Sequence, residues 1–382
     1  MGRLIIFLSI FFSLYGGLHL YALIKVKRSL AMGSGLTVAL SIFMVFMVLA
    51  PVIVRISERH GFELFARFMA YFGYTWMGLL FIFVSAAFAL DVCQLFLHIG
   101  RIILQRELPN ITVSSRYSFI IVFLFSIVIT GYGAFEAVSI RLEHIKIKTD
   151  KIPKTVGHFR IVQISDVHLG LIVGVRRLDR IIHQIEAAKP DILVSTGDLV
   201  DGQMDDPSSF ADMLRKIDTV HGKFAVTGNH EFYAGTSRSL DFIEKAGFKI
   251  LRGENVNVSG WLNIVGVDDV AGKRYGVNTN DSEKELLSKL SSDKFTLLMK
   301  HRPLVDDDAV GLFDLQLSGH THKGQIFPFS LITRLFYPAD AGLFLLEKNA
   351  SLYVNRGSGT WGPPIRFLSA PEVTLIELVR DN

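Results

Sequence analysis

The sequence is poor in cysteine, since Cys93 is the only one in 382 residues. A single cysteine excludes an intrachain disulfide, and with it the small secreted folds that depend on disulfide frameworks. The chain also has no Gly-rich phosphate-binding loop of the Walker type, no internal repeat and no low-complexity tract. These absences exclude a P-loop nucleotidase and a repeat architecture.

Charged residues are missing from four long apolar runs in the first third of the chain. Each run lacks Asp, Glu, Lys and Arg, and each is long enough to cross a bilayer core, which takes about 20 residues. The runs cover residues 4–24, 36–54, 68–90 and 117–135. They raise the mean hydropathy of the chain to +0.37, which is high for a soluble enzyme. We predict four membrane-spanning helices, in preference to a soluble helical core or a cleaved signal peptide at the first run.

The basic residues that flank these runs say little about orientation, because loops on both sides of the membrane carry Lys and Arg. An even number of spans places both chain termini on one face. The positive-inside count slightly favours the cytoplasmic face. We expect a multi-pass protein of the cell membrane, and the side that carries the rest of the chain stays open.

The chain divides into three parts by composition. Residues 1–140 form the predicted transmembrane helical domain, and residues 141–157 form a mixed-charge linker. In residues 158–382, short apolar runs alternate with amphipathic segments such as residues 175–188, and more crowded apolar runs follow. Alternating strand and helix units followed by strand-rich sequence predict an α/β domain with two packed sheets.

Polar clusters follow five of the predicted strands. They are Asp166-x-His168, Gly197-Asp198, Gly228-Asn229-His230, Lys300-His301 and Gly319-His320-Thr321-His322. In open α/β sheets, the loops at the carboxyl ends of the strands converge on one crevice. The glycines beside the polar residues allow the backbone to turn sharply. We therefore expect the five clusters to meet in one site.

Carboxylate, imidazole and amide groups at one site indicate two divalent metal ions. Two metals about 3.5–4 Å apart neutralise the charge of a phosphate ester and activate a water, and a carboxylate can bridge them. Mixed oxygen and nitrogen donors suit manganese, iron, zinc or cobalt better than calcium. Taken alone, Asp166-x-His168 is an ordinary polar turn, Asn229 a helix cap and His301 a half-buried histidine. Their shared position at strand ends favours the joint site.

Four of these motifs closely resemble those of the calcineurin-like metallophosphoesterase superfamily over residues 158–380. They are Ile164-Ser165-Asp166-Val167-His168, Thr196-Gly197-Asp198-Leu199-Val200-Asp201, Thr227-Gly228-Asn229-His230-Glu231 and Ser318-Gly319-His320-Thr321-His322. The later segment from Arg356-Gly357-Ser358-Gly359 to Arg366 resembles a membrane-associated bacterial branch. That branch includes proteins similar to UDP-2,3-diacylglucosamine pyrophosphatases.

This resemblance implies a four-layer α-β-β-α sandwich and a role for each motif residue. It assigns one metal to Asp166, His168, Asp198 and His322. It assigns the other metal to Asp198, Asn229, His301 and His320, with Asp198 as the bridge. Manganese is the favoured metal, and a metal-bridging hydroxide is the expected nucleophile. His230 is expected to contact the phosphate and to assist the leaving group, as a general acid or as an electrostatic stabiliser.

Several residues keep two interpretations. Lys323 stands where related sequences usually carry glycine, and its amine contacts a second phosphate or head group or else points to solvent. We read Asp201 as a turn residue in preference to a support for the metal ligands. Asp268 and Asp269 could line the cleft, but this is the less favoured interpretation of the pair.

The predicted function is a membrane-anchored phosphoesterase, phosphatase or pyrophosphatase. The membrane spans favour a lipid-linked phosphorylated substrate and the bilayer as partners, and nothing in the sequence indicates nucleic acid. The alternative is a receptor or scaffold that retains a phosphoesterase fold without activity, although a degenerate site tends to lose a ligand first. A transporter, as a third interpretation, predicts charged or strongly polar groups inside the spans, and the four apolar runs carry no Asp, Glu, Lys or Arg.

Overall fold

A computed structural model describes residues 2–104, 114–202, 207–277 and 282–381. The chain forms two compact units. One consists of Met1–Ala134 with Gly362–Ile365, and the other of Phe135–Trp361 with Arg366–Asn382. The first unit is helical, and the second is built on two β-sheets.

The helical unit is formed by four long helices. They are α1 (Gly2–Leu30), α2 (Ser34–Arg59), α3 (Glu63–Leu104) and α4 (Ser115–Val138). Among the described residues, these are the four helices that are long and apolar enough to cross a membrane. Each contains one of the predicted apolar runs. At 42 residues, α3 is far longer than one crossing requires and extends beyond the predicted run at both ends.

Small residues lie where α2 and α3 touch. Ala50, Ala66 and Ala70 are fully buried, and a Cβ atom on Gly73 would lie only 2.8 Å from the Cβ of Ala50. Small side chains let membrane helices approach closely, since lipid provides no hydrophobic force between them. Many large apolar side chains of this unit, such as Leu64 and Phe96, are exposed, although others such as Phe83 are buried in the bundle.

The second unit contains the remaining elements. Its helices are α5 (Val175–Ala188), α6 (Pro207–Arg215), α7 (Asn229–Tyr233), α8 (Thr236–Lys245), α9 (Glu283–Ser288) and α10 (Phe329–Phe336). The strands of its first sheet are β1 (Arg141–Thr149), β2 (His158–Ile164), β3 (Ile192–Ser195), β4 (Lys223–Ala225), β5 (Lys249–Ile250) and β12 (Glu372–Arg380). Those of its second sheet are β6 (Glu254–Val258), β7 (Leu262–Gly266), β8 (Phe295–Met299), β9 (Leu315–Ser318), β10 (Gly342–Leu345) and β11 (Ser351–Val354).

Both sheets are mixed, with parallel strands at the positions that carry the polar clusters. The strand orders are β1-β12-β2-β3-β4-β5 and β10-β11-β9-β8-β7-β6. Strands β2 to β5 run parallel to one another, and so do β7, β8, β9 and β11. The carboxyl ends of the neighbouring strands in each set therefore lie at the same edge of the sheet.

The two sheets pack face to face over one apolar core. Because side chains alternate between the faces of a strand, Ile161 of β2 and Leu297 of β8 enter the core between the sheets. Leu298 points to the opposite face, where it packs with Leu286 and Leu287 of α9. Helices α5 and α8 contact the other sheet. The four-layer α-β-β-α prediction is thus confirmed, as is the four-helix prediction for the first part of the chain.

The predicted linker differs from the structure over residues 141–149. These residues form β1, the edge strand that pairs in parallel with β12. Ile145 and Ile147 pack against the core between the sheets, whereas Lys146 and Lys148 are exposed. The alternation that defines a strand is present in the sequence, but the partner strand lies more than 200 residues away. Only Ser139 and Ile140 separate α4 from β1.

Candidate metal centre

The five polar clusters lie together at the carboxyl ends of β2, β3, β4, β8 and β9. Within the described parts of the chain, three groups of His and Asp side chains bring their ligand atoms to within 4.8 Å of one another. The groups are Asp166–His168–His322, His168–Asp198–His230 and Asp198–His301–His320. The convergence of loops that the sequence predicts is therefore present in the structure.

Two pairs of histidines face each other across the site. Nε2 of His168 lies 3.1 Å from Nε2 of His322, which in turn lies 3.4 Å from Oδ1 of Asp166. On the other side, Nε2 of His301 lies 3.1 Å from Nδ1 of His320. Ring nitrogens at this separation can both reach a metal ion at about 2.0–2.1 Å. Each pair could therefore supply two donors to a metal ion.

Asp198 connects the two halves. Its Oδ2 atom lies 3.2 Å from Nε2 of His301 and 3.8 Å from Nε2 of His168. Its Oδ1 atom accepts a hydrogen bond of 2.8 Å from the backbone N–H of His230. One oxygen is therefore oriented by the protein, while the other lies between the two histidine pairs. This is the arrangement that a bridging carboxylate needs.

Asn229 supplies an acceptor without a partner. It begins α7 directly after Gly228, and its Oδ1 atom is buried and makes no hydrogen bond within the part of the chain that the structure describes. A buried polar atom without a partner is costly, and such atoms are rare in native proteins. A cation bound to this oxygen would satisfy it. The residues present therefore fit two divalent cations.

Backbone strain is concentrated at the predicted ligands. Five of them adopt the left-handed conformation, which residues other than glycine rarely adopt. They are Asp166 (φ 50°), His168 (φ 55°), Asp198 (φ 51°), His320 (φ 74°) and His322 (φ 48°). Such strain persists only where the surrounding structure holds it, and it clusters at functional sites.

The glycines beside the ligands act mainly through close approach. A Cβ atom on Gly228 would lie 2.2 Å from Oδ1 of Asp198, and one on Gly319 would lie 2.2 Å from Oδ2 of Asp166. Neither glycine has a positive φ angle, whereas Gly197 does, at 98°. The sequence-based expectation of a sharp turn thus applies to Gly197. At Gly228 and Gly319, a side chain would displace the carboxylates.

The electrostatics of the site favour bound cations. Burial alone would raise the pKa values of Asp166 and Asp198, but the neighbouring histidines outweigh it and hold both well below the ordinary range. Burial lowers the pKa of His301, but the charge of Asp198 outweighs it and raises the pKa to about 10. Burial together with the charge of His301 lowers the pKa of His320 to about 3. The raised pKa of His301 reflects the negative charge of Asp198, which a bound metal ion would neutralise in place of a proton.

His230 stands apart from the two histidine pairs and is held by Asp201. Its Nδ1 atom lies 2.9 Å from Oδ1 of Asp201. Burial would lower the pKa of His230, but the charge of Asp198 and the hydrogen bond to Asp201 raise it to about 9. Our reading of Asp201 as a turn residue is therefore corrected, because its carboxylate orients His230.

Three residues that sequence reasoning did not assign also shape the site. The Glu231 carboxylate accepts hydrogen bonds from the backbone N–H groups of Gly228, Asp198 and Leu199, so it ties two of the ligand loops together. Glutamate three residues after a helix N-cap is the spacing of a capping box, which is a signal that was available. The others are Arg366 and Tyr337, whose positions depend on tertiary contacts.

Arg366 and Tyr337 each hold one of the metal-ligand histidines. Nη2 of the fully buried Arg366 lies 3.0 Å from Nδ1 of His322, and its guanidinium also donates to the carbonyl oxygens of Gly359 and Ser369. The hydroxyl of Tyr337 lies 3.0 Å from Nε2 of His320. The Tyr337 hydroxyl can accept a hydrogen bond from the second ring nitrogen of His320, which is a contact that orients a histidine ligand. The Arg366 guanidinium can only donate, so it fixes the ring of His322 through an accepting Nδ1 atom.

The remaining candidates lie outside the ligand groups. Asp268 pairs with Arg252, and Asp269 accepts a hydrogen bond of 2.7 Å from Arg302, the residue after His301. These two aspartates stabilise loops beside the site. Lys323 is half-buried and also has a left-handed backbone, with φ 49°.

Comparison with known proteins agrees with this geometry. Residues 159–324 match the family model of the calcineurin-like phosphoesterases. An uncharacterized metallophosphoesterase of Aquifex aeolicus is 41% identical over 254 residues, which cover 66% of this chain and 97% of that protein. One from Campylobacter jejuni is 33% identical, over 63% of this chain and 64% of its own. A Danio rerio protein named transmembrane protein with metallophosphoesterase domain is 30% identical, over 68% and 62% respectively. The matches thus span slightly less than two thirds of these last two relatives.

Proposed function

Because the chain belongs to the calcineurin-like phosphoesterase family, we propose that it hydrolyses a phosphoester or pyrophosphate bond at the cell membrane with two divalent metal ions. The observation that carries this proposal is the position of Oδ2 of Asp198, between His168 and His301. A carboxylate oxygen shared by two sets of nitrogen and oxygen donors is what a two-metal hydrolase requires.

The two donor sets are those that the family resemblance implies, and the Asp166–His168–His322 and Asp198–His301–His320 groups support them. Asp166, His168, Asp198 and His322 would hold one ion, and Asp198, Asn229, His301 and His320 the other. When bound, the ions would neutralise the phosphoryl oxygens and lower the pKa of the attacking water. We place manganese first among the metals that mixed nitrogen and oxygen donors suit, before iron, zinc and cobalt.

His230 is the proton donor in this proposal. Asp201 binds its Nδ1 atom at 2.9 Å, which fixes the ring and leaves Nε2 to carry the transferable proton. Asp198 and Asp201 raise the pKa of His230 to about 9, which favours the imidazolium form. The imidazolium can protonate the oxygen that leaves phosphorus, and Asp201 still holds the ring through Nδ1 after the proton has left.

The proposal is tested with the full chain in detergent and bis(p-nitrophenyl) phosphate as substrate. We expect turnover only with an added divalent metal, and we expect His230→Ala to lower kcat by about 100-fold or more. Metal content should stay unchanged in this variant, because His230 is not among the eight donor positions. Asp201→Asn is the matched control for positioning, and we expect a smaller loss there because the imidazole remains.

An absence of turnover with manganese, iron, zinc and cobalt would contradict the proposal. That result would favour the alternative function, a membrane receptor or scaffold that uses the fold for binding. The complete set of ligands and the His230–Asp201 pair argue against this alternative, because a scaffold has no need to keep a buried, strained and charged site.

A further inference from the structure

Helix α10 (Phe329–Phe336) is amphipathic in the opposite sense to a surface helix of a soluble protein. Its polar residue Thr333 is buried, and Ser330 packs so closely against Gly324 that a Cβ on that glycine would lie 2.4 Å from the Ser330 backbone. The apolar side chains point outward and are exposed. They are Phe329, Leu331, Ile332, Leu335 and Phe336. Water-soluble helices bury such a stripe.

The exposed apolar surface continues on the neighbouring segment. The Gln325 side chain forms two hydrogen bonds of 2.9 Å with the backbone of Trp361, and the segments run side by side up to Phe327 and Phe367. Phe327, Trp361 and Leu368 are also exposed. Together with the five α10 side chains, these three residues form what we call the outer apolar face. A contiguous exposed apolar surface marks an interaction site.

The outer apolar face borders the metal centre. Tyr337 directly follows α10, and its hydroxyl lies 3.0 Å from Nε2 of His320. On the other side, the ring of Trp361 lies 6.0 Å from the ring of His230. A membrane or a protein that covers this face therefore lies within about the length of one side chain from His230 and His320.

The chain itself indicates a bilayer as the occupant. Two residues, Ser139 and Ile140, separate α4 from β1, and two extended residues span at most about 7 Å. The β-sheet unit thus begins directly after a helix that is apolar enough to cross a membrane. Phenylalanine, leucine, isoleucine and tryptophan are also the residues that interfacial helices bury in lipid. Arg334, the one charged residue of α10, already pairs with Asp340.

We propose that the outer apolar face inserts into the membrane interface, and that the metal centre hydrolyses a phosphate ester or anhydride of a membrane lipid. The second half rests on the function proposed above. An interfacial helix lies about 5–10 Å deep, at the boundary of head groups and acyl chains. The metal centre beside such a helix would then lie at the level of the lipid phosphate groups. The oxygen of water bonds to phosphorus and releases a proton to solvent. The phosphorus–oxygen bond on the leaving side breaks, and His230 protonates the departing oxygen.

Insertion is tested by fluorescence in lipid nanodiscs. Replacement of Cys93, the only cysteine, by serine allows one NBD label on Leu335→Cys, at a position that is 79% exposed. Val220→Cys is the matched control, since Val220 is 72% exposed but precedes β4, at the opposite end of the strands from the site. We expect lipids with spin-labelled acyl chains to quench the label at 335 about threefold and the label at 220 hardly at all.

Equal quenching at the two positions would overturn the insertion. A blue-shifted but unquenched label at 335 would also overturn it, because it would show that a protein surface or a second copy covers the face.

The lipid substrate is tested in nanodiscs that carry phosphatidic acid, phosphatidylglycerol or CDP-diacylglycerol, which offer a monoester, a diester and a pyrophosphate. We expect hydrolysis of at least one of them. The double substitution Leu335→Ser and Phe336→Ser should lower that rate about tenfold, while turnover of bis(p-nitrophenyl) phosphate stays within about twofold. Both side chains are largely exposed, so the fold should tolerate the change.

The outcomes separate the two proposals. Turnover of the soluble diester without hydrolysis of any of the three lipids would overturn the lipid substrate and leave the hydrolase intact. Turnover of neither kind of substrate by the wild-type chain would overturn both. Equal lipid hydrolysis by wild type and the double variant would overturn the role of the outer apolar face.

Discussion

The two units of this chain use apolar residues in opposite ways. In the helical unit, small residues such as Ala50 and Gly73 lie at a helix contact, and many large ones such as Phe96 are exposed. In the β-sheet unit, large residues such as Leu297 fill the space between the sheets. The reason is the solvent, because lipid removes the hydrophobic force that drives large side chains inward. Helix α10 exposes its large apolar side chains, as the helical unit does, although it belongs to the β-sheet unit.

The units differ equally in their polar groups. The ligand groups of the β-sheet unit bury carboxylates and imidazoles beside strained backbone. In the described part of the helical unit, Lys25 near the end of α1 pairs with Asp91 of α3, and Nε2 of His19 accepts a hydrogen bond of 2.9 Å from Trp76 within the bundle. Chemistry is therefore concentrated in the β-sheet unit, and substitutions in the two units should affect different properties.

The largest effect should come from Asp198→Asn, which changes the charge and the donor strength of the shared carboxylate without changing its size. We expect kcat for bis(p-nitrophenyl) phosphate to fall by about a thousandfold, equivalent to about 4 kcal/mol of transition-state stabilisation. Steady-state assays with saturating manganese measure this. Asp212→Asn, on the exposed surface of α6, is the control. An Asp198→Asn variant with more than a tenth of wild-type activity would contradict a bridging role.

Metal removal should weaken one unit and spare the other. Ligand binding to the folded state stabilises it by about 4 kcal/mol at a thousand times the dissociation constant, so chelation should lower the stability of the β-sheet unit by a few kcal/mol. Hydrogen exchange should then rise around residues 195–201 and 318–323, and added manganese should restore protection.

Residues 66–90 of the helical unit serve as the internal reference for that experiment. Equal loss of protection in both units would show that the metals are not confined to the β-sheet unit.

A substitution in the helical unit can disrupt helix packing without changing any residue of the metal centre. Gly73→Leu would place a large side chain where even a Cβ lies 2.8 Å from Ala50, and we expect a loss of about 1–3 kcal/mol in bundle stability. Thermal unfolding in detergent measures it. Gly131→Leu in α4 is the matched control, because its Cβ would meet nothing within 4 Å. A loss of kcat in Gly73→Leu before unfolding would contradict the separation of the two units.

The smallest effect concerns Lys323, whose role the sequence left open between an anion contact and a solvent-exposed amine. Its left-handed backbone, with φ 49° and ψ 35°, costs about 1 kcal/mol, which glycine does not incur. We expect Lys323→Gly to raise the unfolding temperature slightly, with KM for a substrate with one phosphate unchanged.

Lys348→Gly is the control for that substitution, since its backbone angles are nearly the same, at 54° and 35°. A rise in KM for Lys323→Gly alone would assign the amine to the substrate anion. A loss of stability would contradict the strain argument.

The site was predictable where the signal is local. Each polar cluster directly follows a short apolar run, and parallel strands end at the same edge, so the meeting of Asp166, Asp198 and His301 follows from sequence and sheet geometry. Arg366 and Tyr337 were not predictable in this way, because they reach their histidines through loops whose course depends on the whole fold. The strand β1 was missed for the same reason, since its partner β12 is the last strand. For α10, the amphipathic pattern predicts one polar and one apolar face, but it does not determine which of the two faces is buried.

Metal content of the purified chain tests the central claim most directly. The account predicts two manganese ions per wild-type chain by inductively coupled plasma mass spectrometry, one in His168→Ala, one in His301→Ala and none retained firmly in Asp198→Ala. A wild-type chain that binds no metal after incubation with manganese, or an Asp198→Ala chain that keeps both ions, would contradict it.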